Sequence, residues 1–275
     1  MKFLWQGVGA YVRVKPPLKN LFMQILLTND DGIYAEGVAA LAKTLARVGV
    51  VTVVAPDSER SAVSHGITLA HPIWFKKVKR RNRFFGYGIS GTPADCVKFG
   101  VGVILKKKPD LVVSGVNQGD NDGCSVFYSG TVAGAREGAL LGIPSIAISL
   151  ASFDSNADFR YAAEFGVRLA KKVFQEGLPG ETFLNVNVPD KKASQIKGVR
   201  VTRQGMTPIH CEFRRRFDPN LREYYWMTGK VPQRKKDLSI DTYALHQGYV
   251  TLTPVHCNLT DERVIQDITE WGLKK

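Results

Sequence analysis

Three short polar clusters hold most of the side chains able to do chemistry. Asp30 and Asp31 stand side by side in Thr28-Asn29-Asp30-Asp31-Gly32. The stretch from Pro56 to His65 adds Asp57, Ser58, Glu59, Arg60, Ser61, Ser64 and His65. The stretch from Gly115 to Asn121 adds Asn117, Gln118, Asp120 and Asn121. Carboxylate, hydroxyl and carboxamide oxygens suit a hard cation such as Mg²⁺ or Mn²⁺, not zinc. Two adjacent carboxylates are costly together unless a cation or a proton neutralises them. The competing use of one of them is to cap the helix that follows. A fourth segment, Ser129-Gly130-Thr131, precedes a helix-like run rich in Ala and Gly. Helix N-terminal amides beside two hydroxyls form an anion site, and an ordinary N-cap would use the same residues.

These clusters need elements to position them, and the apolar patterning supplies them. Gln24 to Thr28 is a buried-strand pattern, Gly37 to Val48 a helix ended by Gly49, and Val50 to Ala55 a second strand. That is a βαβ unit and implies a parallel sheet. Strands over 84–89, 111–114, 146–150 and 183–188 alternate with helices over 94–105, 131–141 and 159–176. The pattern is that of a doubly wound α/β domain, in which ligands bind at the carboxyl ends of the strands. All three oxygen-rich loops follow strands and so emerge at that edge. Gly91-Thr92-Pro93 before the 94–105 helix has the character of a structural cap.

After Pro189 the texture changes. Residues 199–243 are rich in Arg, Lys and aromatics with no helical period, which predicts strands and a protruding hairpin. A strand over 248–253 and a helix over 261–271 follow. The expected organisation is an N-terminal extension (1–22), an α/β core (23–200), an extended arm (201–247) and a returning strand and helix (248–275). Met23 directly precedes the first strong strand, so the extension lies outside the core.

The chain has 275 residues, 38 Lys and Arg against 25 Asp and Glu, and a net charge of +13. Such a surplus means a solvated basic surface or an anionic partner. The basic run Lys76 to Arg83 reads as a solvated turn between strands, and a nucleic-acid contact is not expected there. Cys96, Cys124, Cys211 and Cys257 form no CxxC pair, so a zinc site or disulfide framework is not expected, and a reducing cytoplasm is. No apolar run is long enough to span a membrane. There is no GxxxxGK[ST], no GxGxxG after the first strand and no GxSxG. His71, His210, His246 and His256 have no ligand spacing.

The motifs ILLTNDDG, VVAPDSERSAVSHGITL, GTPADCV, PDLVVSGVNQGDN, YSGTVAGAREG, FLNVNVP and GYVTLTP occur in this order. Together they resemble the SurE family of survival proteins, metal-dependent 5'/3'-nucleotidases, over nearly the whole chain beyond residue 22. The resemblance implies Asp30, Asp31, Ser61 and Asn117 as ligands of one divalent metal ion, Mg²⁺ or Mn²⁺, per subunit. It implies a phosphate pocket at Asn121, Ser129, Gly130 and Thr131. It also implies a Rossmann-like core and a C-terminal arm exchanged between subunits, giving a homodimer or tetramer. Ala62 and Glu36 depart from the family's frequent glycine and proline, and neither position is a ligand.

The expected activity is hydrolysis of nucleoside 5'-monophosphates, with 3'-monophosphates and short polyphosphate as further substrates. Asp30 and Asp31 are the expected catalytic carboxylates, one of them accepting the proton of the attacking water. The alternative is a basic nucleic-acid or polyphosphate-binding protein that keeps the fold without turnover.

Overall fold

The structure is a computed structural model that describes residues 13–14, 22–207, 210–230 and 236–273. Chain order begins with a two-residue strand β1 (Arg13–Val14), then β2 (Met23–Thr28), α1 (Glu36–Leu45), β3 (Gly49–Pro56), β4 (Phe75–Arg80) and β5 (Arg83–Ile89). Next come α2 (Pro93–Phe99), continued by a π-helical turn (Gly100–Leu105), then β6 (Leu111–Gln118), α3 (Gly130–Leu140), β7 (Ser145–Ala151) and α4 (Arg160–Glu176). The remainder is β8 (Leu178–Pro179), β9 (Thr182–Pro189), β10 (Val199–Val201), β11 (His210–Phe217), β12 (Glu223–Lys230), α5 (Asp241–His246), β13 (Val250–His256) and α6 (Ile265–Glu270).

Nine strands form one sheet in the order β10-β13-β9-β7-β6-β2-β3-β5-β4. The six from β9 to β5 run parallel, while β4 and the β13 side run the other way. The central strands are mostly apolar because both faces are covered, with the buried polar residues of β6, β7 and β9 as exceptions. In β2, Ile25 and Leu27 join one core cluster while Leu26 joins another. Helices α1 and α4 lie with the first cluster, α2 with the second, and α3 with a third around Val132, Ala135 and Phe183. Each fully buried Leu, Ile or Val contributes about 1.5–3 kcal/mol relative to exposure, so these clusters hold the sheet that carries the site.

Each helix follows from local sequence. Helix α1 buries Val38, Leu41, Ala42 and Leu45, an i, i+3, i+4, i+7 stripe. Helix α2 starts at a capping box, with Thr92 Oγ1 accepting from the Asp95 amide at 3.2 Å and Asp95 Oδ2 accepting from the Thr92 amide at 2.9 Å. Helix α3 carries Gly130, Gly134 and Gly138 on the face against the sheet. A Cβ on Gly134 would lie 2.8 Å from Ser114 Oγ, and one on Gly138 2.8 Å from Val112 Cβ. Four-residue spacing puts the three on one side of the helix, and the missing side chains let α3 lie close on β2, β6 and β7.

Two expectations need correction. Lys76 to Arg83 is not simply a turn. Lys76 to Arg80 belong to edge strand β4, and only Arg81 and Asn82 turn. Val78 alone in that strand is buried, so the charged residues hid its period. The helix expected over 261–271 is a 3₁₀ turn (Glu262–Val264) followed by the short α6.

The hairpin β11-β12 projects between β10 and α5. Its two ends are joined at the root. Arg203 bridges Ile240, the Arg203 amide donates to Ser239 O at 2.8 Å, and the Asp241 amide donates to Arg203 O at 3.0 Å. Buried Asp241 also accepts from the amides of Gly205 at 2.8 Å, Thr242 at 2.7 Å and Gly123 at 3.0 Å. The strand β1 pairs with β8, near the amino end of β9 and so at the sheet edge away from the strand carboxyl ends.

Candidate active site

The carboxyl ends of the parallel strands bring the three polar loops together. Asp30 and Asp31 leave β2, Ser61 lies in the loop after β3, and Asn117 sits near the end of β6. Asn117 arrives after an irregularity in the β6-β7 pairing between Ser114 and Asn117. Gly115 makes that turn possible. Its φ is +136°, and a Cβ there would sit 2.2 Å from Ile148 O.

Asp30 is only 4% exposed. Its Oδ1 accepts from the Thr131 hydroxyl, and its backbone carbonyl accepts from the Arg60 amide at 2.7 Å. Burial pushes the Asp30 carboxyl above its ordinary value of 3.8, against the opposing pull of the Thr131 hydroxyl and the Thr131 and Gly130 amides. Asp31 is half-buried and accepts from the Gln118 amide at 3.2 Å. Burial first, then the neighbouring Asp30 and Glu59, push it up to about 7. Two crowded, dehydrated carboxyls of this kind favour a proton or a cation between them.

The donor set fits a hard divalent cation. Asp30 Oδ1 accepts from the Thr131 hydroxyl, and the carboxylate keeps lone pairs beyond its hydrogen bonds from Thr131 and Gly130. Asn117 Nδ2 donates to Gly119 O at 2.7 Å, which leaves its carboxamide oxygen. Ser61 Oγ donates to Glu59 Oε1 at 2.6 Å and keeps its lone pairs. Asn29 Oδ1, in the same loop as the aspartates, is buried without a partner. Among the described residues no three His, Cys, Asp or Glu side chains gather as a metal cluster. Any cation here would therefore rest on a mixed set of carboxylate, hydroxyl and carboxamide oxygens.

Asp30, Ser61, Asn117, Asn121 and Ser129 line one pocket of about 590 Å³. Asp31, Gly130 and Thr131 are not part of that lining; Asp31 is hydrogen-bonded to Gln118, which is, and Thr131 to Asp30. The Ser129 hydroxyl accepts from the Val132 amide at 3.0 Å and so caps α3, while its own proton remains available. Thr131 is fully buried and spends its hydroxyl proton on Asp30. Asn121 is fixed from all sides. Its Nδ2 donates to Ser149 Oγ at 2.8 Å, its amide donates to Asn187 Oδ1 at 2.7 Å, and its carbonyl accepts from Asn185 Nδ2 at 2.7 Å.

The sequence profile of the family described as Survival protein SurE matches residues 25–210. The chain belongs to the SurE family. A protein named 5'-nucleotidase SurE from Chlorobium phaeobacteroides is 47% identical over 251 residues, covering 91% of this chain and 97% of that one. One of the same name from Syntrophobacter fumaroxidans is 47% identical over 91% of this chain and all of its own length. The crystal structure of the SurE protein from Aquifex aeolicus superposes with a TM-score of 0.79 at 42% identity, covering 90% of this chain and 98% of that one.

Several residues around this SurE site were not singled out by sequence. Asn185 and Asn187 alternate in β9 and point at the Asn121 loop; two asparagines at period two in a buried strand were the available signal. His65 does not line the pocket. Its Nε2 lies 2.9 Å from Glu137 Oε2, and Lys98 Nζ lies 2.7 Å from Glu137 Oε1. Buried Glu137 on α3 thereby ties down the loop that carries Ser61. Burial pushes the Glu137 carboxyl up, but the hydrogen bonds from His65 and Lys98 outweigh it and hold it below 4.5. Cys211 and Met227 of the arm line the pocket as well, together with Tyr128 and Phe153.

Proposed function

We propose that this chain is a divalent-metal-dependent nucleotidase that hydrolyses nucleoside 5'-monophosphates to nucleoside and phosphate. The observation that carries the reading is the pocket in which Asp30, Ser61 and Asn117 oxygens meet the amino end of α3. Relatives sharing nearly half of its residues over most of their length carry the name 5'-nucleotidase. Asp30, Asp31, Ser61 and Asn117 would hold one Mg²⁺ or Mn²⁺. When bound, such an ion neutralises phosphoryl charge and acidifies a bound water. The Ser129 hydroxyl and the Asn121 loop face the phosphate, and the α3 amino end favours its charge. Thr131 acts indirectly, by fixing Asp30. Asp31 is the more open of the two carboxyls and is the acceptor for the water's proton. Hydrolysis of 3'-monophosphates and short polyphosphate belongs to the same reading.

Phosphate release from AMP or GMP, measured in excess chelator and again after adding Mg²⁺ or Mn²⁺, tests this. Activity should vanish and return. Full turnover in chelator would sink the metal mechanism, and no turnover with either metal would favour the non-catalytic polyanion-binding alternative.

The arm is proposed to join subunits into a homodimer or tetramer. A two-stranded hairpin is marginal alone in water, and β11-β12 exposes Phe213, Phe217, Tyr224, Tyr225 and Trp226. Aromatics and Arg are enriched at subunit interfaces. An unchanged mass by light scattering after removal of residues 208–235 would contradict this role. Because Cys211 and Met227 also line the pocket, that deletion should lower activity more than a remote interface would. Cys96, Cys124 and Cys257 form no disulfide, which fits a cytoplasmic setting. Among the described residues no helix is long and apolar enough to cross a membrane.

A further inference from the structure

Phe153, in the loop after β7, is 82% exposed, while the residues on either side of it are held by hydrogen bonds. The Ser152 amide donates to Leu150 O at 2.7 Å, and Gln118 Nε2 donates to Asp154 O at 2.6 Å. The Asn156 amide donates to Asp154 Oδ1 at 2.9 Å, and the Ala157 amide to Asp154 O at 3.0 Å. The ring itself lies against Gly119, where a Cβ would come within 2.8 Å of Phe153 Cε1. Gly119 is fixed in turn. Its amide donates to Leu150 O at 2.8 Å, and its carbonyl accepts from Asn117 Nδ2 at 2.7 Å.

A large apolar ring left in water contributes little to folding, and one set against Gly119 between fixed flanking residues is a ready binding surface. The held backbone on either side lowers the ordering cost of binding there. The pocket it lines has two chemically distinct parts. Asp30, Ser61 and Asn117 supply oxygens, whereas Phe153, Tyr128 and Met227 supply aromatic and apolar surface. A ligand with a phosphoryl group at one end and a flat heteroaromatic ring at the other satisfies both.

We propose that Phe153 is the platform on which the substrate's base stacks, with Tyr128 and Met227 completing an apolar slot. The proposal rests on the nucleotidase reading and adds the base-binding subsite to it. Stacking uses the π-face that every base has and tolerates base identity. The subsite should therefore accept all four bases, with purines, the larger faces, ahead of pyrimidines.

The test uses the full chain with Phe153→Ala and Phe153→Trp, and compares AMP with ribose 5-phosphate, which lacks the base. With Phe153→Ala, the KM for AMP should rise roughly tenfold. The KM for ribose 5-phosphate should stay unchanged, and Phe153→Trp should restore the AMP value. An unchanged KM for AMP would overturn the proposal. So would an equal loss on both substrates, which would mean that Phe153 merely supports the Gly119-Asn117 turn. Calorimetric binding of AMP and ribose 5-phosphate gives an answer independent of turnover. The parent should bind AMP roughly tenfold more tightly than ribose 5-phosphate, and Phe153→Ala should lose that difference. Equal affinities in the parent would refute the subsite, whereas base-dependent binding without phosphate release would overturn only the nucleotidase reading.

Discussion

Gly130→Ala is the sharpest probe of how the aspartates are held. By helix propensity alone, Ala should stabilise α3 by about 0.5–1 kcal/mol over Gly. The geometry opposes this. The new Cβ would sit 2.9 Å from Asp30 Cβ, 3.0 Å from Asp30 Oδ2 and 3.2 Å from Pro93 Cγ. Asp30 cannot easily retreat, since Thr131 holds Oδ1 and the Arg60 amide holds its carbonyl at 2.7 Å. Pro93 is buried in the first turn of α2. Forcing an extra methyl into packing of this kind costs about 1–3 kcal/mol, so the steric cost wins and the variant should be less stable by about 1–2 kcal/mol. For a chain of this size each kcal/mol lowers Tm by about 2–4 °C. Thermal unfolding in chelator should show that loss, and a Mn²⁺ titration followed by the rise in Tm should show weaker binding because Oδ2 is displaced. A variant with the parent's Tm and the parent's Mn²⁺ midpoint would refute the close packing of α3 on Asp30.

Asp31→Asn should abolish turnover without lowering the metal-free Tm, because it removes one of two crowded carboxyls. Near-normal turnover at saturating metal would contradict the role given to Asp31. Glu137→Gln should cost about 1–3 kcal/mol at pH 7, since a buried acceptor for both His65 and Lys98 loses its charge. The folded Glu137 pKa lies below the ordinary 4.5, so its contribution is present above that pH and is lost as pH falls through the folded value. Urea unfolding of parent and variant should therefore converge in acid. A gap that stays constant from pH 7 to pH 3 would show that the carboxylate is not what matters.

The sequence disclosed much of this site because its chemistry is local. Adjacent aspartates after the first strand of a βαβ unit have few other uses, and the fold rule says which edge they reach. The same rule brings the loops of Ser61 and Asn117 to that edge, while the choice of those two residues within their loops came from the family resemblance. Thr131 was placed at the phosphate because helix N-termini attract anions, but the anion nearest its hydroxyl is Asp30. His65 and Glu137 are 72 positions apart, and only the packing of α3 on the sheet reveals that they meet. The charged strand β4 was obscured because an edge strand with a single inward residue has no visible alternation. The contribution of Cys211 and Met227 was hidden for another reason. The path of an arm back to the pocket depends on tertiary docking, which leaves no period in the sequence.

The root of the arm has a consequence for how this chain can vary. Departure at Arg203 and return at Ile240 are side by side, bridged by backbone hydrogen bonds and clasped by Asp241. For the packing of the core, the span between those points acts as a closed loop, although Gly205 is held by Asp241, and Cys211 and Met227 reach the pocket. Each doubling of such a loop adds only about 0.6 kcal/mol of closure entropy. The hairpin is thus a cassette that can be lengthened, trimmed or replaced while β10, β13 and α5 keep their places. Insertions and deletions among relatives should collect inside the span 204–239 and stop abruptly at its two ends.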